Sequence, residues 1–251
     1  MVQAPTLTPP DIVFDPVKHT YHVNGELTPS VTQILGVLNK PALTWWGQGI
    51  GVQGVCQLRK NGEEIPWDDP DGILSLLTHH KLTVNHVTKR RGDSGSSVHR
   101  AAEAYAQHGT VPNVADFPRE DWGYVAALAK ALLELDPEVI ETEQIVASVQ
   151  HGFAGTYDLL ANVAGKLVRL DYKTSKRVYP ESHFPQLEAY EAAAVEMGGQ
   201  ASDARGVLLL CADGSWSLTW STATFEDFLG IKAAFDAVQR IKAATRKATR
   251  G

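Results

Sequence analysis

The segment GTYDLLANVAGKLVRLDYKTSK, residues 155–176, brings two carboxylates and an ammonium close together: Asp158, Asp171 and Lys173. Its pattern reads as two strands joined at Ala164-Gly165-Lys166, so Asp158 can come alongside Asp171. Side chains alternate across a strand. In VRLDYK this sets Val168, Leu170 and Tyr172 on one face and Arg169, Asp171 and Lys173 on the other. Asp171 and Lys173 are then roughly 7 Å apart along the strand. Such a patch suits a hard divalent cation, which takes oxygen ligands and keeps several waters while one or two carboxylates and a phosphate hold it. Taken alone, the same letters also describe an exposed hairpin carrying a surface ion pair of little energetic weight.

The neighbours narrow the choice. Gly155-Thr156-Tyr157 precede Asp158, Thr174-Ser175-Lys176 follow the DYK triplet, and a helix carries QLEAY at 186–190. Upstream lies GDSGSSVHRAAEAY at 92–105. Over residues 90–220 this order resembles the PD-(D/E)XK nuclease superfamily, and within it the RecB-like, phage-type exonuclease branch. The resemblance implies that Asp158 is the first metal-binding aspartate, Asp171 the acidic residue of the (D/E)XK element and Lys173 its lysine. It also implies that His99 and the main-chain carbonyl of Tyr172 are further ligands, and that Gln186 joins the catalytic group. Gln186 and Tyr190 match a Q-x-x-x-Y element. A glutamate commonly precedes the first aspartate in this branch; Glu143 in ETEQIVASV occupies its place, with Glu141 as a near competitor. Glu143, Tyr190 and Glu103 are expected around the ligands rather than among them, Glu103 because it shares a helix face with His99 at i+4. The H-x-x-x-E spacing is not the H-E-x-x-H of zinc proteases.

The implied cofactor is Mg²⁺ or Mn²⁺, as one or two ions. Iron–sulfur members of the branch need four cysteines, and this chain has two, Cys56 and Cys211, so no cluster is expected. Phosphodiester hydrolysis needs a neutralised phosphate, an activated water and a stabilised leaving oxygen, all of which a bound metal supplies. Lys173 would orient the attacking water, and its own pKa faces opposed effects, lowered by burial and raised by carboxylates. The implied activity is a metal-dependent DNA exonuclease in phage-type recombination or DNA processing. An endonuclease or nickase with the same site, and a catalytically silent DNA-binding module, are the alternatives. The implied partners are DNA and a single-strand annealing or recombination protein, with an oligomer compatible.

A chain of 251 residues, 43% hydrophobic and 21% charged, can bury a generous core. Its net charge of −6 opposes a simple nucleic-acid-binding reading, so DNA must be gripped locally. Lys89, Arg90 and Arg91 before the histidine helix, and Lys176 and Arg177 beside the proposed site, are the expected phosphate contacts. The opening MVQAPTLTPPD has no basic and apolar signal pattern, and no apolar run approaches about 18 residues. With two cysteines expected to stay reduced, a cytoplasmic location off the membrane is anticipated.

The elements that must position these residues follow from the pattern. Residues 12–28 alternate around Asn24-Gly25 as a hairpin. Ser30 caps a short helix at 31–38. A second helix spans 41–60, with Trp45 and Trp46 in packing, and a turn-rich acidic loop leads to a short helix at 73–80. Helices at 93–108 and 118–135 precede strands at 140–149, 153–163 and 167–173. A helix at 182–197, strands at 205–212 and 215–221 about Asp213-Gly214, and a final helix at 224–247 complete the chain. The expected fold is α/β with a mixed sheet, a restriction-endonuclease-like αβββαβ core. The expected division is an accessory hairpin-and-helix region at 1–88 and a nuclease core with a basic tail at 89–251.

Overall fold

Residues 153–173 alternate and pair as the pattern requires, and the rest of the sheet is built around them. The computed structural model describes residues 9–38 and 41–248. In chain order the elements are β1 (Ile12–Asp15), β2 (Thr20–Val23), β3 (Glu26–Thr28), α1 (Val31–Leu35), α2 (Pro41–Lys60), α3 (Pro70–His79), α4 (Val84–His108) and α5 (Trp122–Leu135). They continue with β4 (Glu138–Ser148), β5 (Phe153–Val163), β6 (Lys166–Lys173), α6 (Pro180–Glu196), β7 (Ala204–Leu210), β8 (Trp216–Trp220) and α7 (Phe225–Ala248). The main sheet runs β4-β5-β6-β7-β8, antiparallel except for the parallel pair β6–β7, which α6 connects. This is the αβββαβ order expected, a mixed α/β fold. Ala164 and Gly165 both take positive φ, +51° and +79°, and close β5 on β6 as a two-residue turn matched to strand twist.

Helices cover both faces of the sheet. On one, Val98 and Ala101 of α4 and Val125, Leu128 and Leu132 of α5 pack on Leu159, Val168, Leu170, Tyr172 and Leu208. On the other, Ile34 of α1, Ala189 and Tyr190 of α6 and Phe228 of α7 pack on Val146, Phe153, Tyr157 and Leu160. The charged face of β6 is therefore itself a packed face. Arg169 is wholly buried, ion-paired with Glu191 of α6, and its guanidinium lies 4.5 Å from the Tyr157 ring centroid.

Several boundaries differ from the sequence reading. Residues 12–28 form a three-stranded meander rather than a single hairpin, because Ile12–Asp15 and Thr20–Val23 pair as well as β2 and β3. The α4 helix begins nine residues before the expected 93. Its glycine-rich stretch is helical throughout, with the Ser94 and Ser96 hydroxyls donating back to the carbonyls of Arg90 and Gly92, at 3.2 and 3.1 Å. Asp69 caps α3 by accepting from the Gly72 amide at 3.0 Å, so that helix starts at Pro70.

The division at 88/89 is not where the contacts fall. One compact unit comprises the chain to Leu38 together with Val98 onward; the other is Asn39–Ser97. The first joins the meander to the sheet because Tyr21 and Val23 share a core with Ala147 and Ala154, and the Ala154 amide donates to the Pro29 carbonyl at 3.1 Å. Ser30 then caps α1 through a capping box with Gln33. In the second unit Leu58, Ile65 and Leu77 form a small core. That core draws on Val55 and Leu58 of α2 and leaves Trp45, expected in packing, 75% exposed. No helix among the described residues is long and apolar enough to cross a membrane.

The Arg169–Glu191 pair sets a stability test. Removing one partner of a buried pair leaves an uncompensated charge, whose typical cost is about 3–5 kcal/mol. Glu191→Leu is expected to destabilise the fold by about that amount in urea unfolding; a loss below about 1 kcal/mol would show that Arg169 does not depend on its partner.

Candidate active site

The site forms where the sheet stops being regular. β5 and β6 stay paired from Val163↔Lys166 to Leu159↔Leu170. Beyond that pair the Tyr172 amide donates to Asp158 Oδ2 at 2.6 Å, so a side-chain carboxylate accepts what a strand carbonyl otherwise would. On the other edge of β5 the Thr142 hydroxyl donates to the Asp158 carbonyl at 3.0 Å. Thr142 and Gln144 of β4 pair with Leu159 and Tyr157, and Glu143 between them adopts φ +50°. A left-handed backbone at a non-glycine residue is strained, and such strain gathers at functional sites.

This arrangement gathers charged groups from four elements. His99 of α4 donates through Nδ1 to Glu143 Oε1 at 2.7 Å, and the same nitrogen lies 3.7 Å from Asp158 Oδ1. Lys173 forms an ion pair with Asp171 at the end of β6. From α6, Gln186 Nε2 donates to Asp171 Oδ1 at 3.1 Å and to the Tyr190 hydroxyl at 3.0 Å. Tyr190 reaches β5 only because residue 155 is glycine: a Cβ there would lie 2.5 Å from the Tyr190 ring. Asp158, Asp171 and Gln186 are buried, 5%, 2% and 8% exposed. The groups line a cavity of about 500 Å³ that also takes in Phe14, His19 and Tyr21 of the meander, with Ile145 and Thr156.

Crowded carboxylates shift one another. Burial first, and then the negative charge of Asp171, raise the pKa of Asp158 against the opposing pull of His99 and Lys173. Burial lowers His99, but its hydrogen bond to Glu143 and the charge of Asp158 outweigh it and push the imidazole up to about 9. Lys173 shows the same contest: burial lowers it, and Asp171 and Asp158 win, so the ammonium is held above its ordinary range. The opposed effects read from the sequence thus resolve in favour of the charged lysine.

Asp158, Asp171, Lys173, Gln186, His99, Glu143 and Tyr190 therefore come together around one cavity. Glu143 sits against His99 itself, nearer the centre than its expected outer place. The competitor Glu141 takes the Tyr157 hydroxyl instead. The Tyr172 ring is buried in the core, edge-on to His99 at 6.0 Å, while its amide serves Asp158. Glu103 is exposed, accepts from Gln107 at 3.2 Å and is not part of the cavity lining. Lys176 and Arg177 are exposed in the segment after Lys173, with Arg177 over the Tyr179 ring. Lys89, Arg90 and Arg91 are exposed in the second unit, where Arg91 lies 4.9 Å from the Trp46 ring centroid. Phe14, His19 and Tyr21 escaped the sequence reading, which carried only the alternation that makes the strands of Phe14 and Tyr21.

The donors fit a hard divalent cation. One ligating atom each of His99, Glu143 and Asp158 lie within 4.8 Å of one another, a set of one imidazole nitrogen and two carboxylate oxygens that could hold a divalent metal ion. The strained backbone beside them can be tested apart from the metal. Glu143→Gly and Glu143→Ala both delete the carboxylate, yet only glycine is at ease at φ +50°. Unfolding is expected to find the glycine variant more stable than the alanine one by about 1 kcal/mol; equal stabilities would show that the backbone there is not strained.

Residues 76–246 match the PD-(D/E)XK nuclease superfamily. No curated protein matches the sequence. The matched segment spans more than half of the chain and contains His99, Glu143, Asp158, Asp171, Lys173 and Gln186, and the protein belongs to the PD-(D/E)XK nuclease superfamily.

Proposed function

We propose that the protein is a Mg²⁺- or Mn²⁺-dependent DNA exonuclease that hydrolyses phosphodiester bonds in phage-type recombination or DNA processing, in the cytoplasm. The observation that carries this reading is the meeting of Asp158, Asp171 and Lys173 in one cavity, with Gln186 bonded to Asp171. The exonuclease choice is supported by His99 and the Gln186–Tyr190 pair, the two elements that carry the likeness to the RecB-like branch, standing in that same cavity.

His99, Glu143 and Asp158 would hold the ion, with Asp171 and the Tyr172 carbonyl completing the set. Bound there, it would supply Lewis acidity to the scissile phosphate and lower the pKa of water. The chain's own residues do the positioning. Asp171 keeps Lys173 protonated, so its Nζ donates to the attacking water or to a phosphate oxygen and offsets charge that grows there. Gln186, anchored to the Tyr190 hydroxyl, holds the Asp171 carboxylate in one orientation. Lys176 and Arg177, exposed just after Lys173, would contact phosphates along the strand, a contact that carries affinity without sequence preference.

Asp171→Asn and Lys173→Gln are expected to lower cleavage of linear DNA by at least about 100-fold while circular dichroism stays native-like. Either variant cutting at the wild-type rate would remove that residue from the site. Wild-type protein should degrade linear DNA and leave covalently closed circles intact; cutting of circles would shift the reading to an endonuclease, and no cutting of either would end it. Metal binding has its own readout. With Mn²⁺ at about 100 times its dissociation constant, the fold gains about 2.7 kcal/mol. The melting temperature should rise accordingly, and the rise should shrink in His99→Ala and Asp158→Asn; a wild-type curve that Mn²⁺ leaves unmoved would exclude the site.

A further inference from the structure

The cavity has a second wall whose chemistry hydrolysis does not require. It comes from residues 14–21, outside the segment that matches the superfamily. Tyr21 is 7% exposed and tethered, its hydroxyl bonded to Thr156 Oγ1 at 2.9 Å. Phe14 stacks on it, with ring centroids 4.7 Å apart and planes at 29°. His19 meets the Phe14 ring edgewise at 6.0 Å. The turn that carries His19 is ordered from within: Asp15 Oδ1 accepts from the amides of Val17 and Lys18 at 2.9 and 3.0 Å, and His19 closes it at φ +49°. A pinned ring, a half-buried ring stacked on it and an exposed imidazole at its edge thus face the cavity that Asp158, Asp171 and Lys173 line from the other side.

A substrate that fills this space must be anionic at one end and flat and apolar a short distance away. A nucleotide has that shape, and aromatic faces take any base because every base has a π-face. A cavity of about 500 Å³ is also in the range that encloses a small ligand. We infer that Phe14 and His19 form a nucleobase subsite, which receives the unpaired base of the nucleotide whose phosphate lies at Lys173. The inference rests on the nuclease reading of the site. A base inside a duplex is stacked on its neighbours and cannot lie on Phe14 at the same time, so the subsite selects single-stranded or frayed ends.

The test compares two ligands that have no phosphodiester bond, thymidine 3′,5′-bisphosphate and the same deoxyribose bisphosphate without its base. Each is titrated by calorimetry into the full-length protein with Mn²⁺. The base is expected to tighten binding to the wild type by about 5- to 100-fold. In Phe14→Leu, which keeps apolar packing on Tyr21 but removes the π-face, that advantage should fall to about threefold or less, and His19→Ala should reduce it too. Leucine guards against the loss of the meander that alanine at Phe14 could bring, and the exposed His19 provides a second variant with little packing to lose. A wild type indifferent to the base, or variants that keep the full advantage, overturn the subsite. Cutting of single-stranded DNA is measured alongside. Cutting without a base advantage overturns the subsite and leaves the nuclease standing; a base advantage without cutting supports the subsite and overturns the nuclease reading.

Discussion

The bond from the Tyr172 amide to Asp158 Oδ2 is the contact on which the site depends. It lets β5 and β6 part inside a packed sheet, because a buried amide without an acceptor would cost free energy comparable to a lost hydrogen bond. The opening it permits holds three carboxylates, Glu143, Asp158 and Asp171, against two cationic side chains, His99 and Lys173. Their imbalance is negative, and burial amplifies it. Burial raises the pKa of Asp158 and the charge of Asp171 adds to it, while the carboxylates raise His99 and Lys173 against the burial that lowers them, so all three groups feel one deficit of positive charge. A divalent cation answers the same deficit, so the fold's irregularity and the chemistry of its donors have a common origin.

Beneath this opening, buried charged groups link α6 to the sheet. Arg169 is enclosed by Glu191 and the Tyr157 ring, and Glu191 also accepts from the Ser202 amide and hydroxyl, at 2.7 and 2.8 Å. Arg205 and Ser221 converge on Glu188 of the same helix, at 3.0 and 2.7 Å. α6 is therefore fixed to β6, β7 and the end of β8 by charged contacts as well as by Leu187 and Ala189. Gln186 lies on that helix and inherits its position, which is what an orienting amide needs.

Local signals made the centre of the site legible. Asp158, Asp171 and Lys173 are joined by one short turn, and strand alternation alone relates Asp171 to Lys173. The αβββαβ order was legible for the same reason, since each strand and helix carries its own period and its own turn residues. What the sequence withheld depends on distant partners. His99 meets Glu143 across 44 positions, and the choice between Glu143 and Glu141 turns on a single left-handed residue that no periodicity encodes. The length of α4 was masked by its glycines, which read as a break although the helix runs through them. The meander was recognisable as strands, yet nothing local says that its aromatic side chains face the cavity.

That last feature bears on how the protein is made. Tyr21 and Thr156 bond across 135 positions. Synthesis proceeds from the N terminus at about 5–20 residues per second, so the meander leaves the ribosome well before the strands it packs on exist. Its three strands are only four, four and three residues long, and the buried face of Tyr21 and Val23 is completed by Ala147 and Ala154 of the main sheet. The meander must wait, and contacts so distant in sequence form slowly. The acidic half of the cavity, built by α4 and three consecutive strands, can take shape while the aromatic half is still unattached. The nascent chain can thus acquire its charged centre before it acquires the wall beside it.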